Sequence, residues 1–335
     1  MSTQRYSSVP PVSDRVCRLV LGTSLWETLN EAEAHALFDA YVTFGGNCLD
    51  TALVYYDIER VIGSWMKARA NRAAIILHAK GAHHETIRPE GAPHEFHRPR
   101  VNPPEIETDI QETLRRLGTD CIDIFTLHRD DPDQPVGPII ECLGAAQRAG
   151  RIKAFGASNW PVERLEAATE YARQHGLPSF ATSSPHLALA FPAEPSWPNC
   201  LTACDRRSRD WYARELMPLL AWSPLALGYF TERYQPWDKL AKTEQQFLLS
   251  DRWTADVVRV YYTARNFERR SRAQQLAREK AVSATQIALA WVLHQGNHVF
   301  AVVGPRTIPE LRELFDAFAI SLTSHELAWL NLEVD

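Results

Sequence analysis

Short apolar runs recur along this chain, separated by longer segments in which apolar and polar positions follow a different spacing. Runs of about four to eight apolar residues bounded by turn residues are typical of buried strands. Eight segments fit this description: residues 19–23, 48–52, 74–80, 122–128, 152–158, 180–184, 219–223 and 299–304. Because neighbouring positions within most of the runs are apolar, the runs predict strands covered on both faces, as in a parallel sheet.

Most segments between the runs carry apolar residues at helical spacing. The clearest examples are residues 31–44, 58–70, 104–117, 136–149, 162–175 and 309–319. Strands alternating with helices predict an α/β fold, specifically a parallel (β/α)8 TIM barrel. A doubly wound open sheet is the competing interpretation, but no Gly-x-Gly-x-x-Gly motif follows any of the runs.

Three connections are much longer than the few residues usual in such folds. They span residues 81–101, 190–209 and 228–263, after the third, sixth and seventh predicted strands. All three leave the carboxyl ends of strands, which is the face where barrel enzymes hold their substrates. We expect these insertions to be lids on one domain that covers residues 1–335.

Composition and charge indicate a globular protein and argue against nucleic-acid or membrane partners. The chain has 335 residues, of which 45% are hydrophobic, and a formal net charge of −5. That charge is too mild to favour nucleic-acid or membrane partners. Six scattered cysteines, no signal-peptide pattern and no apolar run of about 18 residues indicate a reduced cytoplasmic globular protein. The oligomeric state is left open.

Four polar residues stand at or just past the ends of three of the runs. Asp50 lies in the second run, Tyr55 follows it, Lys80 ends the third and His128 ends the fourth. Because the carboxyl ends of parallel strands meet at one rim of a barrel, we expect these side chains to converge there. Any one alone is explained as a cap or a packing residue, whereas the four together indicate catalysis.

These four residue types suit the transfer of a proton to the alkoxide that forms when a carbonyl accepts hydride. A phenol with a pKa near 10 is a sluggish donor at neutral pH. An ammonium about 4 Å away, at an effective dielectric of about 20, favours the phenolate by roughly 4 kcal/mol, and burial opposes this. Lys80 is the candidate ammonium, Tyr55 the acid, Asp50 the counter-charge for Lys80, and His128 the group that orients the substrate oxygen.

Asp50-Thr-Ala-x-x-Tyr55, with a lysine and a histidine ending the next two strands, resembles the aldo-keto reductase family. The resemblance extends over nearly the whole chain, and residues 127–132 look closest to bacterial members. The family implies the same four catalytic roles and an NAD(P)H-dependent reduction of an aldehyde or ketone. Further matching motifs are Leu21-Gly22-Thr23, Glu59-Arg-Val-Ile-Gly63, Arg116-Leu-Gly-Thr-Asp120, Gly150-Arg-Ile-Lys-Ala-Phe-Gly-Ala-Ser158-Asn159, Ala221-Trp-Ser-Pro-Leu225, Gln286-Ile-Ala-Leu-Ala-Trp291 and Val303-Gly304-Pro-Arg306.

The resemblance also implies a cofactor site across the rim of the barrel. Ser158 and Asn159 would hold the nicotinamide carboxamide, and Trp222 would stack on its ring. Ser183 stands where the family has a glutamine, and its shorter hydroxyl would reach through water. The remaining residues implied near the nicotinamide and the pyrophosphate are Gly22, Thr23, Asp50, Ser223, Pro224, Leu225 and Gly228.

At the adenosine end the resemblance implies Gly304, Pro305 and Arg306. Arg306 and Arg233 would favour a 2′-phosphate, whereas the carboxylate of Glu310 would oppose it. Taken together these residues favour NADPH, with NADH left open. Arg306 also has an ordinary explanation as a solvated residue at a helix start.

Histidines and tryptophans near the rim give candidates for substrate contact. His83 lies in the first insertion, and Trp26 and Trp160 follow predicted strand ends. Aromatic rims accept rings or sugars, so a sugar-derived carbonyl is our expectation. The histidines of the insertion also allow a metal-dependent hydrolase, although barrel enzymes usually take ligands from several strands, and we expect no metal. A nicotinamide-binding redox-sensing subunit without useful turnover is the main alternative function.

Overall fold

Eight parallel strands close into a barrel in the computed structural model, which describes residues 4–24, 29–55, 57–85 and 98–335. Two short antiparallel strands, β1 (Tyr6–Val9) and β2 (Ser13–Cys17), come first in the chain. The barrel follows as β3 (Leu19–Gly22), β4 (Cys48–Ala52), β5 (Ile76–Gly81), β6 (Ile122–Leu127), β7 (Ile152–Ser158), β8 (Thr182–Ser184), β9 (Leu219–Trp222) and β10 (Val299–Val303). Each strand pairs with its neighbour in sequence, and β10 pairs with both β9 and β3. The predicted fold class and all eight strands are confirmed.

The β1–β2 hairpin closes the amino-terminal end of the barrel. Val9 and Val16 from the hairpin pack in one buried cluster with Val20, Cys48 and Ile76. These partners lie at or near the first residues of β3, β4 and β5, so the hairpin covers the barrel floor. The opposite, carboxyl end is the one left for a ligand.

Side chains alternate between the barrel interior and the surrounding helices, as the strand period requires. Along β5, Ile76 belongs to the interior cluster, whereas Leu77 and Ala79 belong to the large cluster between strands and helices. His78 and Lys80 share the phase of Ile76 and therefore point inward. Apolar side chains fill the lower interior, and polar side chains occupy its carboxyl end.

Helices surround the barrel, and their ends are set by local chemistry. Asn102 accepts a hydrogen bond from the amide of Glu105 at the start of one helix, and Gly118 ends that helix with a positive φ of 61°. The described helices are α1 (Glu31–Thr43), α2 (Ile58–Arg69), α3 (Pro103–Leu117), α4 (Val136–Arg148), α5 (Val162–His175), α6 (Arg206–Glu215), α7 (Lys242–Ser250), α8 (Arg252–Tyr261), α9 (Ala264–Lys280), α10 (Ala284–Leu293), α11 (Ile308–Asp316) and α12 (Ser324–Leu330).

The long insertions follow β5, β8 and β9, as the sequence predicted. The second of them runs into α6 and the third contains α7 and α8, none of which was predicted. Residues 86–97 of the first insertion lie outside the described residues. Among the helices of the described residues, none is long and apolar enough to cross a membrane.

Candidate active site

Asp50, His78 and Lys80 form a buried ionic group inside the carboxyl end of the barrel. Lys80 Nζ donates to Asp50 Oδ2 at 2.5 Å, and His78 Nδ1 lies 2.8 Å from the same oxygen. His78 Nε2 is 2.9 Å from Thr126 Oγ1 on β6. Burial raises the pKa of Asp50, but Lys80 and His78 outweigh it and hold that pKa below its usual range. Burial likewise opposes the charge of Lys80, yet Asp50 and Tyr55 keep the pKa of the lysine raised.

Backbone contacts on both sides fix this group in place. The hydroxyl of Thr23 donates to the carbonyl oxygen of Asp50 at 2.9 Å. Two residues after Lys80, the amide of Ala82 donates to Asp109 Oδ2 on α3 at 2.7 Å. Arg100 holds Asp109 in turn through an ion pair of 2.7 Å. Through these bonds Thr23 holds the backbone of β4, and Asp109 holds the backbone just after β5.

Tyr55 lies in the turn between β4 and α2, half-buried beside the Lys80 ammonium. Lys80 Nζ is 5.1 Å from the centre of the Tyr55 ring. Burial raises the pKa of Tyr55, the charge and hydrogen bonding of Lys80 lower it, and Asp50 raises it again. The net pKa is raised, so burial outweighs the lowering expected from the sequence. Lys80 still makes the phenol a stronger acid than burial alone would leave it.

His128 stands beside Tyr55 at the end of β6. The two ring centres are 5.6 Å apart in an edge-to-face arrangement, and the ring centre of His83 lies 4.8 Å from that of His128. Nδ1 of His128 is buried and has no hydrogen-bond partner among the described residues. Burial, followed by the charges of His83, Arg129 and Lys80, places the pKa of His128 well below its usual value. The imidazole is therefore neutral at physiological pH and can donate one hydrogen bond.

The residues predicted to hold the carboxamide are joined by a chain of hydrogen bonds across β7, β8 and β9. Asn159 Nδ2 donates to Ser158 Oγ at 3.0 Å, and Ser158 Oγ donates to the carbonyl of Ser184 at 2.7 Å. Asn159 Oδ1 accepts from Trp222 Nε1 at 3.3 Å and from the amide of Leu201 at 3.1 Å. The structure thus brings Ser158, Asn159 and Trp222 together, and Asn159 Nδ2 also donates to the carbonyl oxygen of His128 at 3.4 Å.

Two predicted site residues lie elsewhere. Ser183 Oγ is 2.7 Å from the hydroxyl of Tyr212 on α6, so its side chain faces the helix layer and not the rim. Its neighbour Ser184 occupies the inward phase of β8. Trp160 is buried against Phe180 with ring centres 5.1 Å apart, and its Nε1 donates to the carbonyl of Arg129. Trp160 therefore packs outside the barrel and is not placed for substrate contact.

The loop after β9 has an unusual backbone. Ser223, Ala226 and Leu227 have positive φ angles of 47°, 50° and 55°, and Gly228 follows at 86°. Non-glycine residues are rarely held in this region, and they concentrate where a backbone is shaped for a ligand. Pro224 and Leu225 lie within the same turn, which is where the resemblance implied the pyrophosphate contacts. Gly22, by contrast, is needed for packing, since a Cβ there would lie 2.9 Å from Val302 Cγ1.

The predicted adenosine contacts lie at the start of α11. Gly304 and Arg306 are exposed, and Pro305 is buried. Glu310 Oε2 accepts from the amide of Arg306 at 2.7 Å, so this carboxylate caps the helix start. Arg233 is exposed in the insertion after β9. The guanidinium of Arg306 stays at the surface, where a phosphate can reach it.

Some of the residues predicted near the rim fall outside the part of the chain that the structure describes. Trp26 lies outside the described residues, as do His94 and His97 of the first insertion. Within the described parts of the chain, no three His, Cys, Asp or Glu side chains are arranged to hold a metal ion. All six cysteines are free.

Sequence reasoning missed three residues that belong to the neighbourhood of this site. His78 completes the ionic group, and only its inward strand phase would have revealed it. His186 packs 4.9 Å from Trp222, with Nε2 3.0 Å from the hydroxyl of Tyr261 and a pKa lowered to about 3 by burial. Arg129 follows His128 directly and is 8% exposed. Its position beside a predicted catalytic residue was the available indication.

A closed barrel with a tyrosine, a lysine, an aspartate and a histidine at its carboxyl rim defines a class of barrel enzymes that move a proton to or from a bound substrate. The family model described as the aldo/keto reductase family matches residues 18–331. The chain therefore belongs to the aldo/keto reductase family.

Individual relatives agree with this assignment. The chain is 26% identical to norsolorinic acid reductase A of Aspergillus parasiticus, over 95% of this chain and 78% of that protein. It is also 26% identical to an NADP(+) aryl-alcohol dehydrogenase of Phanerodontia chrysosporium, over 91% and 76% of the two chains. The solved glycerol dehydrogenase of Gluconobacter oxydans superposes with a TM-score of 0.75 at 23% identity, covering 98% of this chain and 94% of the other. At that identity the likeness supports the fold alone.

The activity class follows from the family. The chain is an NAD(P)H-dependent oxidoreductase that reduces small-molecule carbonyl compounds. The relatives are reductases and dehydrogenases, and nothing among them supports the alternative of a redox-sensing subunit without turnover.

Proposed function

We propose that Tyr55 is the proton donor of this reductase and that Lys80, Asp50 and His128 assist it. The observation that supports this most directly is the buried Lys80–Asp50 pair, whose ammonium lies 5.1 Å from the Tyr55 ring. A bound nicotinamide would supply the hydride. As the substrate oxygen gains negative charge, the Tyr55 hydroxyl gives it a proton, and Lys80 stabilises the phenolate that remains. Asp50 keeps Lys80 charged in its buried position.

His128 has the second role in this proposal. A neutral imidazole beside the phenol can donate a hydrogen bond to the carbonyl oxygen and fix its direction. Because the pKa of His128 is well below its usual value, it does not compete with Tyr55 as the acid. The two groups therefore act on the same oxygen by different means.

The cofactor is proposed to be NADPH, held by Ser158 and Asn159 at the carboxamide and by Trp222 against the ring. Arg306 supports the 2′-phosphate because its guanidinium is exposed and is not among the ion pairs of the described residues. Glu310 offers less opposition than expected, since its carboxylate is occupied with the helix start. A relative named for NADP(+) points the same way.

The substrate proposal starts from the relatives and the rim. One relative is named for aryl alcohols, which makes aromatic aldehydes the first class to test. The sugar-derived carbonyls expected from the aromatic rim are the second class. We further propose a cytoplasmic location and a single domain over residues 1–335.

Tyr55→Phe tests the central assignment, because it removes only the hydroxyl. We expect reduction of benzaldehyde with NADPH to fall about 100-fold or more. Quenching of tryptophan fluorescence by NADPH should persist, since the carboxamide contacts are intact. Tyr171→Phe is the matched control, because that hydroxyl bonds to Glu141 on the helix surface and should leave turnover unchanged. Full turnover in Tyr55→Phe would refute the proposal.

A further inference from the structure

Arg129 is a buried cation beside the candidate catalytic residues, and nothing in the proposed proton transfer uses it. It follows His128 directly and is only 8% exposed. Burial is the largest influence on the pKa of Tyr55 and on that of His128, and the charge of Arg129 is one of several smaller influences that lower both. Its Nη1 reaches the carbonyl oxygen of His128, which also accepts from Asn159 Nδ2, so the guanidinium lies beside the candidate site.

The charge of Arg129 has no carboxylate partner among the described residues. The two acids that follow it are engaged elsewhere. Asp130 Oδ1 pairs with Arg164 at 2.7 Å, and Asp131 Oδ1 accepts from the amide of Asp133 at 3.2 Å. An unpaired charge with so little access to water is costly. Such a group is expected where a ligand of opposite charge completes the pair.

One edge of the guanidinium makes no hydrogen bond with the described residues. Nη1 donates a long hydrogen bond of 3.4 Å to the carbonyl of His128. Nε is buried without a partner, and no hydrogen bond joins Nη2 to the described residues. The Nε–Nη2 edge is the planar fork that matches the two oxygens of a carboxylate.

We propose that Arg129 is a specificity-determining residue that binds a carboxylate on the substrate, so that the enzyme prefers acidic carbonyl compounds to neutral ones. This inference rests on the proposed function, because it places the substrate carbonyl at Tyr55 and His128. The carboxylate would lie on the Nε–Nη2 edge while the carbonyl lies at the phenol. Arg129 would then act on binding of the acid and leave neutral substrates largely unaffected.

The test compares 4-carboxybenzaldehyde with methyl 4-formylbenzoate, which share the aldehyde and differ in one charge. We expect kcat/KM of the intact enzyme to be at least about 10-fold higher for the acid, mostly through KM. Arg129→Gln should remove that preference by lowering kcat/KM for the acid and sparing the ester. Arg129→Lys keeps the charge without the fork and should restore part of the preference. Arg148→Gln, at the exposed end of α4, is the matched control and should change neither substrate.

Two results would overturn the inference and leave the proposed function intact. One is an intact enzyme that reduces the ester as well as the acid. The other is Arg129→Gln losing activity on both substrates equally, which would assign Arg129 to the reacting atoms. A separate binding measurement distinguishes a failure of this inference from a failure of the proposed function. In the presence of NADP(+), benzoate should bind more tightly than benzamide to the intact enzyme and equally to Arg129→Gln, whether or not either aldehyde is reduced.

Discussion

Replacing Lys80 with methionine tests the electrostatic part of the proposed mechanism. Methionine fills similar space without charge, so the main change is the loss of an ammonium 5.1 Å from the Tyr55 ring. At that separation and an effective dielectric of about 20, the ammonium favours the phenolate by about 3 kcal/mol, or about two pKa units. Asp50 acts in the opposite direction. If Asp50 takes up a proton in the variant, the net change shrinks to about one unit.

The assay is the pH dependence of kcat for alcohol oxidation with NADP(+), since that direction requires the phenolate. The limb that reports Tyr55 should move to higher pH by about one to two units in Lys80→Met. Carbonyl reduction at neutral pH should fall about 10- to 100-fold, because a phenol of higher pKa is a weaker acid. Binding of NADPH, followed by tryptophan fluorescence, should be nearly unchanged.

Stability needs a separate control, because removing one member of a buried ion pair typically costs about 3–5 kcal/mol. The double variant Asp50→Asn with Lys80→Met leaves no orphaned charge, so it should unfold at a higher temperature than Lys80→Met alone. The double variant should keep the upward shift of the pH profile. A Lys80→Met enzyme that is folded and slow, yet titrates like the intact protein, would refute the electrostatic argument and leave Lys80 with a structural role.

Two further predictions concern the cofactor contacts and the buried acid on α2. Ser158→Ala should raise the Kd for NADPH about 10-fold, whereas Ser183→Ala should change it less than about twofold because that hydroxyl faces Tyr212. Fluorescence titration of the two variants with NADPH measures both Kd values. Equal effects of the two substitutions would contradict the placement of Ser183. Glu59 is fully buried, and burial raises its pKa to about 8 against the usual 4.5. Its protonated form therefore stabilises the fold fully below about pH 4.5, and that contribution is lost as the pH rises through about 8. Between about pH 5 and about pH 8, the unfolding free energy of the intact protein should fall relative to that of Glu59→Gln, by several kcal/mol at most. Urea titrations of both proteins at the two pH values measure this difference. Parallel pH profiles for the two proteins would contradict the raised pKa.

The barrel was predictable because its strands are buried on both faces. The run 299–304 is apolar at every position, and few other structures bury such runs at regular spacing. The β1–β2 hairpin was missed because Tyr6–Val9 and Ser13–Cys17 mix half-buried and exposed polar residues with only three deeply buried ones, Val9, Val16 and Cys17. No periodicity distinguishes such a pair from a loop.

The site was predictable where position along a strand was enough, and not where side-chain direction mattered. The structure groups Lys80, Asp50 and Tyr55 as the sequence predicted. Ser183 was assigned to the cofactor, but β8 reads Thr-Ser-Ser, in which nothing marks the inward phase. A shift of one residue moves a side chain to the other face of the sheet. Side-chain direction was equally unpredictable for Trp160, which follows a strand end. Its ring packs against Phe180, and nothing in the sequence distinguishes that position from one facing the rim.

Because the Ala82 amide bonds to Asp109 on α3, the outer helix layer helps to hold the candidate active site in its geometry. Random mutagenesis with selection for turnover should therefore yield hits at Asp109 and Arg100, although neither side chain meets a reactant. Such hits would look like unexplained remote effects in a map of the pocket. They would reflect the loss of the contacts from α3 and Arg100 that hold the backbone at the end of β5.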